Sequence, residues 1–109
     1  MIKTLSRNMA FLVLALSMTG LTYADPVWID VRTALEHAID SIDGDRRISH
    51  GDIVEKTSEL YPDKNTEINL YCRSGNRADK AKAALNAAGY TDVTNSGSID
   101  DARLARGLK

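Results

Sequence analysis

Cys72 is the only cysteine of the chain, and the residues after it, Arg73-Ser74-Gly75-Asn76-Arg77, place a glycine and two guanidinium groups within one short stretch of the thiol. Ile68-Asn69-Leu70-Tyr71 before it reads as a core strand, and the alanine-rich segment after it as a helix. A thiol at the C-terminal end of a strand, wrapped by a glycine-containing loop that opens a helix, meets backbone N–H groups and the positive end of the helix dipole. Arg73 and Arg77 add fixed positive charge. Both influences favour the thiolate, which is the reactive form of cysteine. Gly75 permits a backbone turn that a bulkier residue resists, so the chain can curl around the sulfur. The competing reading of Cys72 is a small, inert core hydrophobe, which the charged loop around it disfavours.

Those residues need a scaffold, and the rest of the chain supplies one. Pro26-Val27-Trp28-Ile29-Asp30-Val31-Arg32 reads as a short, mostly apolar strand. Thr33 to Ile39 makes about two helical turns, with Thr33 as the cap and Leu35 and Ile39 on one face. Asp40 to Arg47 carries many turn formers and no clean period, and is expected to be loop that closes on a short strand near Ile48. Ser49 caps a helix running to about Leu60, which offers Ile53, Val54, Thr57 and Leu60 to the core. Thr66 to Tyr71 is the second core strand, Arg77 to Ala88 the alanine-rich helix, and Gly89 its stop. Tyr90 to Thr94 reads as a third strand and Ser98 to Leu108 as a final short helix. This alternation implies crossover connections, hence an α/β fold with a small, mostly parallel sheet flanked by helices. Ligands in such sheets gather where strands end and helices begin, which singles out residues 72–77.

Composition bounds the rest. At 109 residues the chain holds one core, and 43% hydrophobic with 27% charged residues is the make-up of a globular domain. Lys3 and Arg7 precede an uncharged apolar run from Met9 to Leu16, and Thr22 and Ala24 offer the small residues that a signal peptidase reads. Residues 1–24 are therefore expected to be a cleaved signal peptide and 25–109 the mature domain, exported to the periplasm or an equivalent space. A retained membrane anchor is the alternative, but Ser17, Thr19, Gly20 and Thr22 break the uninterrupted span of about 20 apolar residues that an anchor needs. Losing Lys3 and Arg7 takes the formal charge from −1 to −3, and no basic stripe interleaved with aromatics remains, so a nucleic-acid partner is not expected. A single unpaired cysteine is unusual in an exported chain unless chemistry requires it.

The loop Cys72 to Arg77, together with Trp28-Ile29-Asp30-Val31-Arg32 upstream, resembles the active-site loop and Asp-Val-Arg strand of rhodanese-homology domains of the small, exported, single-domain kind. The likeness spans nearly all of the mature chain. It implies a rhodanese-like α/β fold and a sulfurtransferase in which Cys72 takes a sulfane sulfur from thiosulfate or a similar donor as a persulfide. That sulfur then passes to cyanide or a thiol acceptor, without metal or organic cofactor. Arg73, Ser74, Gly75, Asn76 and Arg77 would form the substrate loop, and Asp30 and Arg32 would support it, Asp30 as the candidate carboxylate partner of Arg77. Four residues separate Cys72 from Arg77; cysteine-cradle phosphatases have five, so the tighter ring suits a sulfur atom better than phosphate. The family's Gly-His-Ile-Pro-Gly-Ala-type segment is represented by Asp40-Ser41-Ile42-Asp43-Gly44-Asp45, which keeps Ile42 and Gly44.

Two rival functions stay open at this level: a thiol redox or persulfide-relay site for a protein thiol partner, and a non-catalytic binding module of the cell envelope. His37 and His50 have no metal-ligand spacing and read as surface or capping residues. Trp28 reads as packing, and Arg46-Arg47 as a solvated pair whose alternative role is anion steering.

Overall fold

The computed structural model describes residues 25–109; the expected signal peptide lies outside the described residues. The elements run β1 (Val27–Asp30), α1 (Ala34–Ile39), β2 (Arg46–Arg47), a 3-10 turn (His50–Asp52), α2 (Ile53–Leu60), β3 (Ile68–Cys72), α3 (Asn76–Ala87), β4 (Val93–Ser98) and α4 (Ile99–Ala105). The strands form one sheet in the order β2-β1-β3-β4, every neighbouring pair parallel. Parallel strands need crossovers, and helices supply them, which covers both faces of the sheet.

All five residues of β3 are buried, as a central parallel strand requires. Side chains alternate across it. Ile68, Leu70 and Cys72 join Ile29, Val31, Ile53, Ala78, Ala81 and Leu85 in the larger core under α2 and α3. Tyr71 points to the other face and packs with Ile42, Ile99 and Ala102, with Trp28 against them. Ala78 and Ala81 of the alanine-rich α3 are buried beside the sheet.

Three expectations shift. The third strand begins at Val93 rather than Tyr90 and continues through Ser98. The cause is a longer turn after α3: Gly89 takes φ +101, Tyr90 N–H returns to the Leu85 carbonyl, and Thr91 N–H bonds to the Lys64 carbonyl. Tyr90 is still buried, its hydroxyl donating to the Tyr61 carbonyl at 2.7 Å. Ser49 makes no side-chain cap, because a 3-10 turn precedes α2. The expected core stripe of α1 is absent: Leu35 is 70% and Ile39 77% exposed, and no residue of this helix is buried. Polar contacts dock α1 instead. Thr33 and Glu36 form a capping box, and His37 Nδ1 lies 2.9 Å from Asp30 Oδ2.

Asp30 itself is wholly buried at the end of β1. It accepts from the Arg32 backbone N–H, from Nε and from an Nη at 2.7–3.1 Å. Burial alone would raise its carboxyl pKa, but the bonds from Arg32 and His37 prevail and hold it below the ordinary value. Arg32, also buried, extends to the Asp40 carbonyl and so ties β1 to the end of α1. Removing one member of such a pair strands a buried charge. Asp30→Ala is therefore expected to cost about 3–5 kcal/mol of folding stability in urea denaturation; a loss under about 1 kcal/mol would contradict this account of the pair.

Candidate active site

Cys72 ends β3 with its side chain in the core face, and the chain then turns out through Arg73 and Ser74, both exposed, to Gly75. Gly75 adopts φ +92, ψ −13 and begins α3. That left-handed conformation costs a residue with a Cβ about 1–2 kcal/mol. It turns the Gly75 N–H back onto Cys72 Sγ at 2.9 Å. The backbone N–H groups of Ala78, Ser74 and Arg77 also act on the sulfur. Burial pushes the thiol pKa up, but these donors outweigh it, so it lies below the ordinary cysteine value. The thiolate is thus favoured relative to an ordinary cysteine although Cys72 has no exposed surface.

The loop is braced from two sides. From the sheet edge, Asn95 of β4 donates through Nδ2 to the Gly75 carbonyl at 2.9 Å and accepts from the Gly97 N–H at 2.9 Å. Gly97 has φ +87, and a Cβ there would come within 2.5 Å of an Asp101 carboxylate oxygen. The pairing of β3 with β4 is irregular between Leu70 and Cys72, so that Cys72 pairs with Ser98. Asn95-Ser96-Gly97-Ser98 is therefore a bulged strand end, and it delivers Asn95 to the loop.

From the other side, Arg77 forms a bidentate pair with Glu36, Nη1 to Oε1 at 2.7 Å and Nη2 to Oε2 at 3.0 Å. The carboxylate partner of Arg77 is Glu36 of α1 and not Asp30, whose oxygens are taken by Arg32 and His37. Asp30 and Arg32 support the loop at one remove, by fixing the end of β1 and α1 beside it. Glu36 Oε1 also accepts from Thr33 N–H and Oγ1 at 3.0 Å. The Arg77 guanidinium first, and the Thr33 N–H second, lower the Glu36 pKa to about 2. One carboxylate thus closes the cap of α1 and anchors the last residue of the loop. Glu36 and Asn95 escaped the sequence reading. The spacing of Thr33 and Glu36 as a capping box was the visible trace of the first; nothing local marks the second.

Arg73 opens onto a cleft of about 460 Å³, walled also by Arg32, Glu36, Ile39, Asp40 and Ile99. Ser74 and Asn76 are exposed on the rim of the loop. Arg46 and Arg47 lie instead along a separate small cavity with Ile48 and Lys56, and Arg47 donates to the Arg32 carbonyl at 3.2 Å. They do not face the loop. Among the described residues no three His, Cys, Asp or Glu side chains are grouped to hold a metal ion. The segment after α1 is held by charge: Asp40 by Arg103 at 2.6 Å, and Asp45 by Arg106 and the Tyr71 hydroxyl, each at 2.7 Å. Arg106 lies over the Trp28 ring, 4.3 Å from its centroid.

A cysteine sulfur that accepts a backbone N–H bond and has its thiolate favoured, at the strand-to-helix switch of a parallel sheet, suits transfer of a group to and from sulfur. Comparison with known proteins agrees. Residues 18–101 match the family described as the rhodanese-like domain. The chain is 32% identical over 95 residues to the thiosulfate sulfurtransferase PspE of Escherichia coli (strain K12), covering 87% of this chain and 91% of that protein. Among solved structures it is similar to a rhodanese with anions from E. coli, with a TM-score of 0.67 at 32% identity over 71% of this chain and 91% of that one. It is also similar to a rhodanese-like domain protein from Staphylococcus aureus, with a TM-score of 0.62 at 26% identity over 79% and 82% of the two chains.

Because the lowered thiol pKa comes from backbone donors, it depends on the Gly75 conformation. Gly75→Ala is expected to lose about 1–2 kcal/mol of stability and to raise the midpoint of Cys72 alkylation by iodoacetamide toward the ordinary thiol value near 8.5. The wild-type midpoint is expected to lie below that of Gly75→Ala, the direction the backbone donors give it. Identical profiles for the two proteins would refute the role of the Gly75 N–H.

Proposed function

Since the chain belongs to the rhodanese-like domain family, we propose that it is a thiosulfate sulfurtransferase working through a persulfide on Cys72. The observation that carries this reading is the Gly75 N–H at 2.9 Å from Sγ, within a loop whose other backbone donors also favour the thiolate. In the first half-reaction the Cys72 thiolate attacks the outer sulfur of thiosulfate. The S–S bond of the donor breaks, sulfite leaves with the electron pair, and Cys72 carries the persulfide. In the second, an acceptor takes that outer sulfur and Cys72 leaves as the thiolate. The terminal sulfur is stabilised by the same preorganised N–H groups, which need no reorientation as charge moves outward.

Arg73 is the candidate anion contact, because it is exposed at the cleft and joins no ion pair among the described residues. Arg77 is committed to Glu36 and holds the loop. Since Cys72 has no exposed surface, a donor reaches Sγ only when part of its cover yields. Ser74 and Asn76 on the loop rim complete the substrate surface in this reading. Residues 1–24 are read as an export signal, which places the mature enzyme in the periplasm with small-molecule donor and acceptor.

Intact mass spectrometry of the mature protein after thiosulfate should show a gain of about 32 Da, one sulfur, that cyanide removes and that Cys72→Ser lacks. No adduct on the folded, reduced protein would reject the persulfide cycle. Arg73→Ala should raise the KM for thiosulfate on the order of tenfold, the loss of one charge-assisted contact, with a smaller change in kcat; an unchanged KM would remove Arg73 from donor binding.

A further inference from the structure

Gly75 is at once the residue the loop needs and its loosest joint. Without a Cβ it reaches φ +92 freely, and it leaves that conformation as freely. Crowding does not hold it: a Cβ built there would meet Gly97 Cα at 3.5 Å and the Asn95 amide at 3.9 Å, ordinary contact distances. One side of the residue is fixed through its N–H, 2.9 Å from Cys72 Sγ. The other side carries the carbonyl, which accepts from the Asp79 N–H at 3.0 Å at the start of α3 and from Asn95 Nδ2 at 2.9 Å.

Asn95 reaches that carbonyl from β4, the edge strand beside β3. Its Oδ1 accepts from the Gly97 N–H at 2.9 Å, an Asx turn that directs the other end of the amide to the loop. The two ends are not interchangeable, because the Gly75 carbonyl needs a donor and the Gly97 N–H an acceptor. A side-chain amide of this length carries both. Gly97, at φ +87, backs onto Asp101, whose Oδ2 accepts from the Ser98 N–H in the capping box of α4. The cap of α4 thus supports the turn, the turn holds Asn95, and Asn95 holds the Gly75 carbonyl. Glu36, by contrast, grips the loop through the Arg77 side chain and leaves the Gly75 backbone to Asn95.

Resting on the sulfurtransferase reading, we infer that Asn95 is a positioning residue for sulfur transfer: its Nδ2 bond locks the Gly75 backbone so that the Gly75 N–H stays on Cys72 Sγ. It acts on the sulfur only through Gly75. Its contribution is therefore to the reactivity of Cys72 and not to capture of the donor, which Arg73 serves.

The test uses two neutral variants, which add no charge near the thiol. Asn95→Ala removes both bonds. Asn95→Ser retains a hydroxyl that accepts from the Gly97 N–H as an ST turn but is too short for the Gly75 carbonyl. Urea denaturation first identifies conditions in which each variant is folded. The pH profile of Cys72 alkylation by iodoacetamide and the kinetics with thiosulfate are then measured. In both variants the alkylation midpoint should rise by about half to one pH unit, so that alkylation below the wild-type midpoint slows about threefold to tenfold. The kcat should fall by a similar factor while KM for thiosulfate stays within about twofold of wild type. Combined with Gly75→Ala, Asn95→Ser should add little, since both act on one residue's backbone. An Asn95→Ser protein that matches wild type while Asn95→Ala does not would confine Asn95 to shaping β4 and overturn the inference. So would unmoved midpoints in both variants, a raised KM with unchanged kcat, or a midpoint shift that adds in full to that of Gly75→Ala. The alkylation profile needs no sulfur donor. If thiosulfate loads no sulfur onto the wild type, the sulfurtransferase reading fails, while the profile still decides what Asn95 does to Cys72.

Discussion

A sulfur with no contact with water has its thiolate favoured only if other donors replace the water, and in this domain the replacements come from the backbone. The Gly75 N–H bonds to Cys72 Sγ, and with the backbone of Ala78, Ser74 and Arg77 it outweighs the burial that works against the thiolate. Much of the site follows from that constraint. Backbone N–H groups converge on a point only where the chain curls tightly, which demands the left-handed Gly75, a strand that ends at the sulfur and a helix that starts immediately after.

A curled loop with exposed residues on its outer side needs external bracing, and polar contacts provide it. Asn95 holds the Gly75 carbonyl from the sheet edge, and Glu36 holds Arg77 from α1. The same kind of contact positions α1 and the segment after it. Helix α1 buries no side chain, and it is positioned through Glu36 to Arg77 and His37 to Asp30. The segment after it is fixed by Asp40 to Arg103 and Asp45 to Arg106. Hydrophobic burial builds the larger core under α2 and α3, which Cys72 itself joins, and a smaller cluster about Tyr71 on the other face.

The segment where this chain departs from the family pattern, Asp40 to Asp45, takes its order from those pairs. Asp45 accepts from both the Tyr71 hydroxyl and Arg106, and Arg106 in turn covers Trp28. Burial and the Asp45 carboxylate beside it push the Tyr71 hydroxyl well above its usual range, so it remains a donor at all working pH. The end of β3, one residue before Cys72, is thereby fixed from the face opposite the larger core.

Alternating strand and helix signals, the buried run of β3, the alanine helix and the Cys72 to Arg77 loop were all legible in the sequence, because each rests on local periodicity, on glycine chemistry or on residue type. They sufficed for the α/β class and singled out Cys72 as the candidate nucleophile. The partner of Arg77 was not legible. Asp30 and Glu36 are both carboxylates near the first strand, and only the packing of α1 beside the loop decides which one Arg77 meets, 41 positions earlier in the chain. Asn95 was hidden for the same reason, since its role depends on a bulge in β4 that no local signal separates from a turn. Leu35 and Ile39 mark the remaining limit: their spacing specifies a common face but not what lies opposite it. Local sequence sets which groups exist and how they recur; only the tertiary structure, by closing long loops between them, chooses which become neighbours.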